Sequence, residues 1–111
     1  MQIQYSEREL TIDGVRHILD HRIISAGTDG QRVFVVFDYM AYPRNSAALN
    51  LVAIDRDGHI VWTISANPVD SPNAAYTNIS SVDPLTVGNF AGFSCVVDAE
   101  TGTLLDSTFT K

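Results

Sequence analysis

The chain has little of what would commit it to redox chemistry, to nucleic acid or to a membrane. A single cysteine, Cys95, excludes an internal disulfide and fits a reducing compartment. Lys and Arg number 7 against 13 Asp and Glu, leaving a formal charge of −6. A nucleic-acid binder needs the opposite excess to displace phosphate counterions. Apolar runs are short: Val33-Phe34-Val35-Val36-Phe37 is among the longest, far below the roughly 18 residues of a membrane span. Met1-Gln2-Ile3-Gln4-Tyr5-Ser6-Glu7-Arg8-Glu9 puts acid where a signal peptide carries a basic end and an apolar run. The expectation is a cytoplasmic protein with no membrane and no nucleic-acid partner.

Helical periodicity is also scarce. Only Gly14–Arg22 competes, with Val15, Ile18, Leu19 and Arg22 at helical spacing. Two flanking Asp residues and the Asp13-Gly14 turn favour a strand there. With 45% hydrophobic and 18% charged residues, the composition is that of one ordinary globular domain over 1–111. Strand signals fill it: 2–5, 9–12, 15–19, 22–26, 32–38, 48–54, 59–64, 77–82, 85–90, 93–97 and 103–106, separated by Gly, Asp and Pro turns. The reading is all-β, an antiparallel meander of about nine to eleven short strands, rolled into a sandwich or partly open barrel. Its core should draw on Ile24, Phe34, Val36, Leu51, Ala53, Trp62, Val87, Cys95, Val97 and Leu104.

The turns repeat. Ile12-Asp13-Gly14, Ile54-Asp55-Arg56-Asp57-Gly58 and Val97-Asp98-Ala99-Glu100-Thr101-Gly102 each set an apolar residue, an Asp and a Gly-ended turn, with the Asp residues 42 and 43 positions apart. This divides the chain into units at roughly 22–65 and 77–111, with a partial unit at 2–19, a period typical of β-propeller blades. Leu51–Trp62 and Cys95–Leu105 resemble the outer hairpin of quinoprotein-type propeller blades. The quinone site of those enzymes needs many blades around an axis, so no cofactor is implied. The ending Asp98–Lys111 resembles small stand-alone bacterial proteins, some of which neighbour polymorphic toxins. That resemblance implies an immunity role. A closed propeller usually needs at least four blades, so sheet borders should remain for a partner or for a second copy.

Reactive constellations are weak. His17 and His21 would share a helical face, but on a strand they lie roughly 13 Å apart, too far for one metal ion. Asp55-Arg56-Asp57-Gly58 suggests a calcium loop, yet His59, Ile60 and Val61 stand where further oxygen ligands belong. Turn chemistry explains those residues in full. No nucleophile elbow or cysteine-protease signature is present. Cys95, in a strand-like run, reads as a small buried hydrophobe. No catalytic residue, cofactor or metal is assigned, and the chain reads as a non-enzyme.

Two loops exceed what hairpins need: 39–46 and 65–76. Tyrosine, Met and Arg in the first are residue types of binding hot spots. The alternative is that Tyr39, Tyr42 and Tyr76 cap the core with their hydroxyls in water. The function expected is a protein-binding module, in its most specific form an acidic immunity protein that occludes a basic toxin such as a nuclease. Its candidate contacts are Asp38, Tyr39, Tyr42, Arg44, Asp55, Asp57, Asp70 and Tyr76. The competing expectation is a structural module whose copies pair their sheet edges, as in a homodimer.

Overall fold

In the computed structural model the described residues are 1–43, 45, 47–69, 71 and 74–110. Among these residues, eleven strands form three antiparallel meanders that do not close into a barrel. The first sheet is β1 (Ile3–Ser6), β2 (Glu9–Ile12) and β3 (Val15–Ile18). The second is β4 (Ile23–Thr28), β5 (Val33–Phe37), β6 (Leu51–Ile54) and β7 (Ile60–Thr63). The third is β8 (Tyr76–Val82), β9 (Leu85–Asn89), β10 (Phe93–Val97) and β11 (Leu104–Phe109). The window with helical spacing, Gly14–Arg22, therefore contains β3 and no helix, with its other residues in the flanking turns. Asp13 and Gly14 both take positive φ, 47° and 85°, the tight-turn geometry that matches strand twist.

The sheets stack in chain order with the second in the middle. Every residue of β5 and β6 is buried, which is what an uninterrupted apolar run dictates when both faces of a strand are covered. On one face Phe34, Val36, Leu51, Ala53, Trp62 and Ile64 meet Tyr76, Leu85, Val87, Cys95 and Val97 of the third sheet and its approach. On the other, Val33, Val35, Phe37, Val52 and Ile54 meet Leu10, Ile12 and Leu19. The residues expected in the core all belong to the first of these clusters, with Ile24 and Leu104 half-buried at its margin. The second cluster is an addition that period-2 alternation does not reveal, because β5 and β6 do not alternate.

Two rings lock the layers. His17, on the last strand of the first sheet, lies so close to Gly58 that a Cβ there would collide with its Nδ1. Trp62, on the last strand of the second sheet, covers Gly102 in the same way: a Cβ would fall 2.5 Å from Cε3. The Trp62 indole N–H also donates to the Ala99 carbonyl at 2.9 Å. Gly58 and Gly102 close the two repeated turns, at φ 84° and 76°. Each must be glycine both for its backbone and for the ring above it. At Gly14, the corresponding turn of the first sheet, a Cβ would meet nothing within 4 Å.

The stack ends because its outer faces are polar. Opposite the buried side of β8–β11, the register places Asn78, Ser81, Thr86, Ser94 and Thr108 outward, with Val96 among them. The first sheet presents Gln4, Ser6, Glu9, Thr11 and Arg16 outward, together with the exposed Ile18. The meanders do not close into a ring, so the sheet borders expected from the sequence are present as edge strands, while polar residues on the end layers limit further stacking.

Gly102→Ala and Gly14→Ala separate backbone from packing. Both positions need positive φ, but only Gly102 lies under a ring. Thermal or urea unfolding should show Gly14→Ala costing about 1 kcal/mol and Gly102→Ala about 3 kcal/mol. Equal losses would remove the packing role of Trp62.

Candidate functional site: an acidic end

Strand register sends alternate turns to opposite ends. The Thr28↔Val33 and Val33↔Ile54 pairs put the β4–β5 and β6–β7 turns at one end. The Val82↔Leu85 and Leu85↔Val97 pairs do the same for the β8–β9 and β10–β11 turns. Arg32 joins the two groups, its Nη1 donating to the carbonyls of Ala99 at 3.0 Å and Glu100 at 2.8 Å. The β2–β3 turn arrives there too, with Arg56 Nη1 3.9 Å from Asp13 Oδ2. The result is an end carrying Asp13, Asp29, Asp55, Asp57, Asp83, Asp98 and Glu100, seven of the chain's 13 acids. Arg32 and Arg56 are the arginines of these turns, and both are engaged.

Four of the seven carboxylates accept backbone N–H groups, three of them within their own turns. Asp13 Oδ1 accepts from the Gln2 N–H at 2.8 Å. Asp29 Oδ1 accepts from the N–H groups of Gln31 and Arg32 at 2.9 and 3.0 Å. Asp55 Oδ1 accepts from those of Asp57 and His59 at 2.9 and 3.0 Å. Asp98 Oδ1 accepts from Glu100 N–H at 2.9 Å. The His59 N–H above all, then the Asp57 N–H and the nearby imidazole, hold Asp55 below the ordinary carboxylate range.

Ligand atoms of Asp55, Asp57 and His59 lie within 4.8 Å of one another. The turn's own hydrogen bonds account for this proximity. Three groups with at most intermediate burial fall short of the oxygen-rich shell of calcium or the four ligands of structural zinc.

The opposite end is aromatic. The Asp38 carboxylate accepts from Met40 N–H at 2.9 Å and starts a 3-10 turn over Tyr39–Ala41. Tyr39 is exposed and meets Phe90 edge-on, with ring centroids 5.0 Å apart. Tyr42 is half-buried against His21, and burial first, then the Asp20 charge, raises its hydroxyl pKa.

The expected contact residues are therefore divided. Asp55 and Asp57 lie at the acidic end, Asp38, Tyr39 and Tyr42 at the aromatic end. Arg44 and Asp70 fall outside the described residues. Tyr76 is corrected from a surface contact to a core residue: it is fully buried and its hydroxyl donates to the Ala66 carbonyl at 2.7 Å. Asn50, buried beside it, accepts from the Tyr76 N–H at 3.0 Å and donates to the Tyr76 and Phe37 carbonyls at 2.9 and 2.8 Å. That closed set of bonds leaves Tyr76 nothing to offer a partner. Sequence reasoning overlooked Asp13, Asp29, Asp83, Asp98 and Glu100, although their turn positions with a meander's alternating ends could have grouped them.

A three-layer all-β stack with one acidic end is what fold and charge define. The chain belongs to the family described as Domain of unknown function (DUF7957), whose match runs over residues 1–109. No curated protein and no solved structure matches it. Among the described residues, no helix is long and apolar enough to cross a membrane.

Asp55 gives a pH signature. Because its folded pKa lies below the ordinary 3.8, its contribution to stability is complete above that value and is lost as pH falls through the lowered one. Carboxyl NMR titration should place its midpoint below 3.8 in the folded protein and return it there in urea. An unchanged midpoint on unfolding would contradict the turn geometry.

Proposed function

We propose that this protein is a binding module that captures a basic protein partner at its acidic end, most specifically an immunity protein that occludes a basic toxin such as a nuclease in the cytoplasm. The supporting observation is a surplus. The side chains of Asp57, Asp83 and Glu100 accept no hydrogen bond and join no ion pair among the described residues. Turn chemistry requires Asp13, Asp29, Asp55 and Asp98; it does not require these three. Unpaired exposed charges of one sign, gathered at one end, raise the encounter rate with an oppositely charged protein and orient it. A non-enzymatic role is supported by Cys95, whose thiol is pushed up to about 11 by burial and so is a poor nucleophile.

Co-purification from native lysate at low and then high salt tests the reading, using the parent chain and an Asp57→Asn/Asp83→Asn/Glu100→Gln variant. A stoichiometric basic partner should be held at low salt and lost at high salt, with affinity about tenfold lower for the triple variant. Glu7→Gln at the other end should leave binding intact. Absence of a basic partner at both salts would remove this function.

A second reading, self-pairing through sheet edges, draws on β11, an edge strand with Leu105 and Phe109 exposed. Against it, the Ser107 N–H is taken by Asp106 Oδ1 at 2.9 Å, a guard on that edge.

A further inference from the structure

A groove of about 440 Å³ runs between the turns of the acidic end, on the side of the third sheet. Val82, Pro84, Val96, Ala99 and Leu105 supply its apolar lining, and Asp29, Asp83 and Asp98 its charge. Its size falls within the range of ligand-binding clefts.

Leu105 is the unexpected member. The β10–β11 register pairs Val96 with Asp106 and Val97 with Leu104, so Leu105 is the extra residue of a bulge. Bulges re-aim side chains, and this one leaves Leu105 61% exposed, outside both hydrophobic clusters. No core requirement explains a leucine there.

The acids around it are uncompensated. Among the described residues, none of Asp29, Asp83 or Asp98 joins an ion pair, whereas Glu7, Glu9, Asp13 and Asp55 each do. Asp29 and Asp98 use Oδ1 for their turns, and Oδ2 of each accepts no hydrogen bond among the described residues. Arg32, the neighbouring cation, is committed to the Ala99 and Glu100 carbonyls.

An apolar floor beside unpaired carboxylates suits a long aliphatic stem with a cationic head. The geometry points to this groove as the seat of an arginine side chain from the partner protein. Its methylenes lie on Leu105 and Val82 and its guanidinium is shared among Asp83, Asp29 and Asp98. The inference rests on the acidic-end reading and adds to it a position and an apolar component.

The probe is an acetylated, amidated Gly-Arg-Gly-Arg-Gly peptide, followed by amide chemical shifts on the full chain. A second peptide carries citrulline, the neutral isostere, in place of arginine. Shifts should centre on 82–85, 96–99 and 105 and vanish with citrulline. Leu105→Ser should weaken binding about tenfold at low and high salt alike. Asp83→Asn should weaken it about threefold at low salt only. Leu105 is exposed, so its replacement leaves the fold intact, and the variant's own amide spectrum checks this. Shifts confined to the 55–59 turn, with Leu105→Ser silent, would overturn the groove while sparing the acidic end. Shifts nowhere would overturn the groove too, and the lysate experiment would then judge the acidic end by itself.

Discussion

The structure depends on burying one sheet from both sides. Val33–Phe37 and Leu51–Ile54 have no polar residue to turn toward water, so β5 and β6 are stable only between two other layers. That need fixes the position of everything else. The first sheet covers Val33, Val35, Phe37, Val52 and Ile54, and the third covers Phe34, Val36, Leu51 and Ala53. Two layers would leave one of these faces wet. A fourth would need a continuous further apolar face, and the outer sheets offer only separate apolar residues such as Ile18 and Val96 among polar ones.

Register between layers is held by the rings on glycine. His17 on Gly58 and Trp62 on Gly102 repeat one contact between successive sheets. The contact stops at both ends for identifiable reasons. At the start, Gly14 is open, with nothing within 4 Å of an added Cβ. At the end, Asp106 follows Gly102 at the interval by which Trp62 follows Gly58, and a carboxylate cannot take the indole's place on an apolar layer. The repeat unit thus carries its own stop signal, which disfavours head-to-tail growth and directs attention away from faces toward the ends of the strands.

Much of this was legible in the residues. Gly and Asp turns located each of the eleven strands, and alternation in β9 and β10 marked Val87, Cys95 and Val97 as core. The double-sided burial of the middle sheet was not legible as alternation, because a strand covered on both faces shows none. The run Val33–Phe37 carried the signal in another form, as length without polarity. Tyr76 was misplaced for a different reason. Its position after a long loop resembles a surface tyrosine, and only the distant Asn50 and Ala66 that satisfy its backbone and hydroxyl draw it inside. Such pairings across 10 to 26 residues are set by packing, which local pattern does not encode.

The acidic end follows from the same physics before any function is invoked. A tight turn favours Asp because its carboxylate accepts the N–H groups that the turn leaves unpaired. An antiparallel meander returns every second turn to the same end. A chain that uses Asp-Gly turns at every second hairpin must therefore accumulate carboxylates there, and Asp13, Asp29, Asp55 and Asp98 need no further cause. Repulsion among them works against the fold, so a sequence selected for stability alone should dilute the charge with Asn or Ser at neighbouring positions. This chain concentrates it instead, adding Asp57, Asp83 and Glu100 where no N–H awaits them, and sets an exposed leucine beside three of the seven. Charge beyond what the turns consume, next to apolar surface beyond what the core consumes, is what the proposed recognition role would draw on and what folding by itself does not require.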